Sequence, residues 1–378
     1  MKNTSLVFVL LALPVFAATP AENSIRKAEA EITKNPEHYA GYNDLAMALA
    51  RRARETSDVE FYAKAEESLQ KSFRLSPDNF GGLKTRTWLL LGRHEFAKAR
   101  EVAVKLNKQN PDDVTVYGYL ADANAELGNY EEAVEAAQWM LNLRPGNIAG
   151  LTRAAYLREL HGDTGGAIDL MQEAYDSSPF PETEDRAWLL TQIAHLHLVA
   201  GQLPEAERFA QGALGLFPDY HYALGTLGQV RMTQKRYREA ADLFAKRVAT
   251  APHAENLFTL AEALEHDGRH AEAAPIFADF ERKALLEAAT TDNANHELVA
   301  YYTDYLKQPE KALRIAEQEL ARRHDAYTLD AHAWSLAAVG DYPKAEAEMQ
   351  KALAFGLKDP KVREHARVIA ELAAKNGE

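Results

Sequence analysis

A proline recurs through the middle of this chain at almost constant distance, and that spacing restricts the fold more than any other feature. Pro77, Pro111, Pro145 and Pro179 stand 34 residues apart, Pro218 follows 39 residues later, and Pro252 another 34 after it. Twelve residues before each stands an alanine: Ala65, Ala99, Ala133, Ala167, Ala206 and Ala240. The stretch from Val114 to Asn147 shows what one period contains. Val114, Tyr117, Leu120 and Ala121 share one face of a helix that Gly128 breaks, where a chain reversal needs a residue free of Cβ strain. Ala133, Ala137, Met140 and Leu141 share one face of a second helix, which Pro145 ends. Small residues at Ala133 and Ala137 let helices approach closely, and one such hairpin cannot bury its apolar face without neighbouring copies.

A helix-turn-helix period of 34 residues, with alanine inside the second helix and proline after it, resembles the tetratricopeptide repeat (TPR). The resemblance runs through nearly all of the chain after its first residues. Stretches such as YAKAEESLQKSFRLSPDN (62–79) and YLRELHGDTGGAIDLM (156–171) are similar to exported bacterial proteins made of TPR repeats alone. It implies an all-α TPR solenoid: a right-handed superhelix of about eight to nine helix hairpins with terminal capping helices, and a concave groove lined mainly by first helices.

Taken in order, residues 18–378 read as this solenoid, with the best-defined repeats over 80–254, degenerate ones over 255–358 and a capping helix over 359–375. Ile25, Ala28 and Ile32 give the segment from Glu22 to Lys34 one apolar face, suited to covering the first repeat. Arg51, Arg52 and Arg54 read as a solvated helix end, where positive charge suits the C-terminal dipole. In the second repeat, Phe80 to Asp113, two glycines open the first helix and the turn is expected to be lengthened around Gly92 to Glu95. The five extra residues Glu182 to Arg186 read as an acidic insertion in a loop between repeats. Beyond Glu255 a helix is expected to run on through Phe280, Leu285 and Leu286, and a polar segment, Thr290 to Asn295, separates it from Leu298 to Lys307. Two more hairpins follow, and a last helix is expected to start at an Asp359 cap and turn Val362, Ala366, Ile369 and Ala370 inward.

The first 18 residues, MKNTSLVFVLLALPVFAA, have a lysine-bearing start, an apolar run and small residues after it, as in a secretory signal peptide cleaved after about Ala17. No later segment approaches the roughly 20 apolar residues of a spanning helix. The expectation is an exported protein, periplasmic or extracellular. With 43 Lys plus Arg against 56 Asp plus Glu, the formal net charge of −13 argues against nucleic acid or an anionic membrane as partner. There is no cysteine, so neither a disulfide nor a lipid-modified cysteine can form.

No nucleophile elbow, phosphate-binding glycine loop or HExxH pair is present, which argues against an enzyme, and no cofactor is expected. His195 and His197 point in different directions on a helix, and Gly268 between His266 and His270 marks a turn, so no metal site is expected. The register implied by the resemblance places Asn43, Met47, Trp88, Asp122, Thr152, Tyr156, Trp188, His195, Tyr222, Gln229, Tyr301 and Trp334 toward the groove. Aromatics with polar tips anchor peptides or stack on sugar rings. The reading is a noncatalytic scaffold of the bacterial cell envelope that binds a protein or extended peptide in its groove. A polysaccharide-binding or export scaffold is the alternative, and a hydrolase with its site in the irregular region from Glu255 to Asn295 a third.

Overall fold

The computed structural model describes residues 18–56 and 58–376, and among them it holds twenty α-helices and no strand. The expected signal peptide, residues 1–17, lies outside the described residues. A first helix, α1 (Pro20–Lys34), precedes nine hairpins. Six of these follow the regular pattern: α2 (Tyr39–Thr56) with α3 (Glu60–Leu75), α4 (Phe80–Gly92) with α5 (Phe96–Gln109), α6 (Val114–Glu126) with α7 (Tyr130–Leu143), α8 (Ile148–Leu160) with α9 (Thr164–Ser177), α10 (Thr183–Val199) with α11 (Leu203–Leu216), and α12 (His221–Thr233) with α13 (Tyr237–Thr250). Then come α14 (Ala254–His266) with α15 (His270–Glu287), α16 (Asn295–Ala300), which a π-helical turn Tyr301–Tyr305 prolongs, with α17 (Pro309–Leu320), and α18 (Ala326–Ala338) with α19 (Tyr342–Leu353). A last helix, α20 (Pro360–Asn376), closes the chain. This is the all-α solenoid expected from the spacing.

The periodic residues explain the hairpins. Ala65, Ala99, Ala133, Ala167, Ala206 and Ala240 are all 0% exposed, so each second helix meets its neighbours at a point with no room for a larger side chain. After each proline an Asn or Asp caps the next helix in three of the repeats: Asn79, Asp113 and Asn147 accept hydrogen bonds from the amides of Gly82, Val116 and Gly150.

Four local expectations need correction. The second repeat's turn is not lengthened: Arg93–Glu95 is as short as Leu127–Asn129 in the third, and His94 takes the positive φ (55°) that Gly128 (79°) takes there. The residues from Thr183 to Arg186 are not loop but the first turn of α10, which makes it 17 residues long. Arg51 and Arg54 are not a solvated helix end; they are the partners of that acidic turn. Arg51 bonds Glu182 at 2.7 Å and Asp185 at 3.3 Å, and Arg54 bonds Glu184 and Asp185. Finally, Ala370 faces solvent, and His365 takes the inward place beside Asp330, 2.9 Å away.

The pairs of Arg51 and Arg54 with that acidic turn, separated by 130 to 134 residues, join distant parts of the solenoid, and a second such place is found among the described residues. In the other, the hairpin turns of the second to fourth repeats meet the loops of the last three. Thr291 Oγ1 donates to the Arg93 carbonyl at 2.9 Å across 198 residues, and the Ala326 amide donates to the Tyr130 hydroxyl at 2.8 Å across 196. The Phe355 ring stands edge-on to Tyr130, 4.4 Å between centroids. Ala121, Tyr130, Leu157 and Leu160 share one core with Leu329, Met349, Leu357 and Ile369. A repeat array normally touches only its neighbours. Here early and late repeats meet, so the superhelix closes on itself.

Candidate functional site

Closure turns part of the groove into a cavity of about 850 Å³. Its wall is built from one face of each of three successive first helices. Asp122 and Glu126 are four apart on α6; Thr152, Tyr156 and Glu159 follow helical spacing on α8; Asp185, Trp188 and Gln192 do so on α10. Residues distant in sequence complete it: Arg54 from α2, His94 and Phe96 from the second repeat's turn, and Arg323 from the α17–α18 loop.

The cations on this wall are engaged. Arg153 donates to the Gly118 carbonyl at 3.1 Å and the Ala149 carbonyl at 3.0 Å, and its remaining arm holds Asp122. Desolvation opposes the charge of the half-buried Arg54, but Glu184 and Asp185 more than offset that and hold it protonated. Arg323 lies 3.1 Å from Glu319 and 3.4 Å from Asp325. Among the acids, Glu159 accepts a 2.7 Å hydrogen bond from the His195 ring; although burial works against the imidazolium, this carboxylate raises the His195 pKa. Glu126 is held more loosely, by the Tyr156 hydroxyl and by Arg323, both at 3.4 Å. Burial, with Asp325 nearby, pushes its carboxyl up to about 7. Burial likewise raises the Tyr156 phenol well above its ordinary range.

Of the residues expected in the groove, the structure brings Asp122, Thr152, Tyr156 and Trp188 together on this wall, with His195 joined to it through Glu159. The others lie elsewhere. Asn43 is buried, donating to Asn79 at 2.9 Å and accepting from Ser72 at 2.7 Å, which steadies the cap of α4. Trp88 is half-buried between the cores of the first and second repeats, and Met47 and Gln229 are half-buried away from the cavity. Tyr222 is partly exposed against His221 and Tyr220. Tyr301 is a core residue, stacked on Phe277 at 4.9 Å and edge-on to Phe280, because the aromatic-rich seventh and eighth hairpins fill the space it was expected to face. Trp334 donates to Asp304 at 2.9 Å and stacks on His365 of α20 at 4.2 Å, so the last helix covers it.

Glu126, Glu159 and Gln192 were missed, although each lies three or four residues beyond an expected groove residue on the same helix face. His94 and Arg323 had no local signal, and Arg54 showed only as part of a cationic cluster, since only closure brings the three to the wall. Among the described residues, no group of three or more His, Cys, Asp or Glu is arranged to hold a metal ion. Nor is any helix among them long and apolar enough to cross a membrane.

A family model for the tetratricopeptide repeat matches residues 87–148, 191–255 and 227–285, so the chain carries such repeats. A curated protein, anaphase-promoting complex subunit 7 of Dictyostelium discoideum, is 24% identical over 221 residues, 54% of this chain; the chain spans only 35% of that protein's length. Among solved structures, the APC/C hetero-tetramer Cut9–Hcn1 matches with a TM-score of 0.53 at 15% identity, over 93% of this chain and 60% of that one. The human IFIT1 dimer with m7Gppp-AAAA matches with a TM-score of 0.55 at 14% identity, over 88% and 85%. At these identities the structural likeness concerns the fold alone.

Proposed function

We propose that this tetratricopeptide-repeat solenoid is a noncatalytic scaffold, exported to the bacterial cell envelope, that holds an extended segment of a protein partner in the cavity of its concave face. The observation that carries this reading is the cavity itself, about 850 Å³ with the Tyr156 and Trp188 rings among polar groups. Pockets of this size, mostly apolar with a few placed polar groups, are the ordinary form of a binding site. Export rests on the lysine-bearing apolar start of the sequence. The IFIT1 neighbour is described with a capped oligonucleotide, but the charges of the arginines here are offset by adjacent carboxylates, and the chain is acidic overall. Those features favour a protein over RNA.

The test is a crosslinking pull-down of the mature protein from its own cell envelope, comparing wild type with Trp188→Ala. Trp188 is half-buried, so its removal leaves helicity intact by circular dichroism. A protein captured by the wild type and lost in the variant supports the reading; equal capture by both contradicts it. Capture of polysaccharide alone would favour a glycan scaffold, for which the same aromatic rings are suited.

A further inference from the structure

We propose that the segment held in this cavity presents a lysine or arginine side chain, whose cationic head is taken by Glu126 and whose stem lies along Tyr156. The inference rests on the groove reading and adds the chemistry of the occupant.

The charge balance of the wall decides the sign of the charge it can receive. Each arginine on it lies against one or more carboxylates, so its positive charge is already offset, although the Nε atoms of Arg54 and Arg323 have no hydrogen-bond partner. Arg153 spends its guanidinium on Gly118, Ala149 and Asp122, Arg54 on Glu184 and Asp185, and Arg323 lies against Glu319 and Asp325. Glu126 is different. Its two contacts, to the Tyr156 hydroxyl and to Arg323, are both 3.4 Å long, the outer edge of hydrogen bonding. A carboxylate has about four acceptor positions, and these two weak contacts leave most of that capacity unused. The Tyr156 hydroxyl stands beside it, and Trp188 lines the same cavity, so the occupant's side chain has aromatic surface within the pocket as well as the carboxylate. At longer range the net charge of −13 draws a basic segment toward the molecule. The cavity of about 850 Å³ is large enough for several residues of the segment around the one side chain.

The charge of Glu126 is poised to respond. Its neighbours are Asp122 on the same helix, Tyr156 from α8, and Arg323 and Asp325 from the α17–α18 loop, and together with burial they hold its carboxyl near 7. A cation arriving beside it favours the ionised form, so binding near neutral pH expels a proton.

The probe is a short fluorescent peptide of alternating lysine and alanine, with norleucine and glutamate versions as controls, titrated by anisotropy. The lysine peptide is expected to bind wild type at least about tenfold more tightly than the norleucine peptide, and Glu126→Gln to remove that advantage. Glu101→Gln, at an exposed residue paired with Lys105 on α5, should leave it intact. Calorimetry in buffers of different ionisation enthalpy should show proton release for wild type and none for Glu126→Gln. Equal binding of the lysine and norleucine peptides, both weakened by Trp188→Ala, would overturn the cation proposal and leave the groove reading standing. Tighter binding of the glutamate peptide would also overturn it. Failure of all three peptides to bind at about 1 mM would remove both.

Discussion

Gly162 and Gly201 occupy the same position in the turns of successive hairpins, with φ of 74° and 75°, yet only one of them is confined. A Cβ on Gly201 would meet nothing within 4 Å, and the same holds at Gly268 and Gly340. A Cβ on Gly162 would run into the Gly356 carbonyl oxygen, and one on Gly128 would lie 2.5 Å from that of His324. The left-handed turn conformation favours glycine equally at all five. Only the third and fourth repeats add a second reason, because there the backbone of a later repeat lies against the turn. Closure of the superhelix is a property of position along the array, written nowhere in the repeat itself.

The comparison can be broken most severely at the other seam. Arg54 is a half-buried cation with two carboxylate partners from α10, and its removal leaves Glu184, which is buried and also bonded by the Tyr220 hydroxyl, without its compensating charge. Arg54→Ala should cost about 3–5 kcal/mol in denaturant unfolding, the usual penalty for breaking a buried pair from one side. Arg367→Ala, which breaks an exposed pair on the last helix, should leave stability nearly unchanged, because water screens such a pair. Similar losses at the two sites would mean that the seam is open in solution.

Next in size are the turns. Gly201→Ala should cost about 1–2 kcal/mol, the strain of a left-handed residue with a side chain. Gly162→Ala carries that strain plus overpacking against a carbonyl, for a total of about 3 kcal/mol or more. His94 and Lys235, which adopt φ of 55° and 59° in equivalent turns, show that the strain alone is tolerated.

The smallest effect concerns pH. Burial raises both Glu126 and Glu297 from the ordinary 4.5 to about 7, so between those values the folded chain binds more protons than the unfolded one. Their contribution to stability is full below about 4.5 and is lost as pH rises through about 7. The double variant Glu126→Gln with Glu297→Gln should flatten that part of the stability profile and gain roughly 1–3 kcal/mol at alkaline pH. An unchanged slope would place both carboxyls in open water.

How much of this was legible in the sequence follows the same division. The proline and alanine spacing disclosed the hairpins because every second helix must satisfy the same close contact, and six alanines at that point are fully buried. On α6, α8 and α10, which follow the regular pattern, the register places Asp122, Tyr156 and Trp188 along the cavity. It failed at Tyr301 and Trp334, where large aromatics and the last helix fill the concave side, and at Asn43, whose amide is spent inside the first repeat. The arginine cluster and the acidic insertion were both visible as irregularities. Their pairing was not, because it depends on the pitch accumulated over four hairpins, and no local pattern records that.

Closure is tested most directly at the amide of Ala326. This is the first residue of α18, where a helix leaves its N–H without an internal partner, and its acceptor here is the hydroxyl of Tyr130, 196 residues earlier in the chain. Hydrogen exchange should find that amide protected in wild type and fast in Tyr130→Phe, while the Thr328 amide, capped locally by Asp325, stays unchanged. Fast exchange at Ala326 in the wild-type protein would mean that the solenoid is open and that the cavity loses the part of its wall that Arg323 supplies.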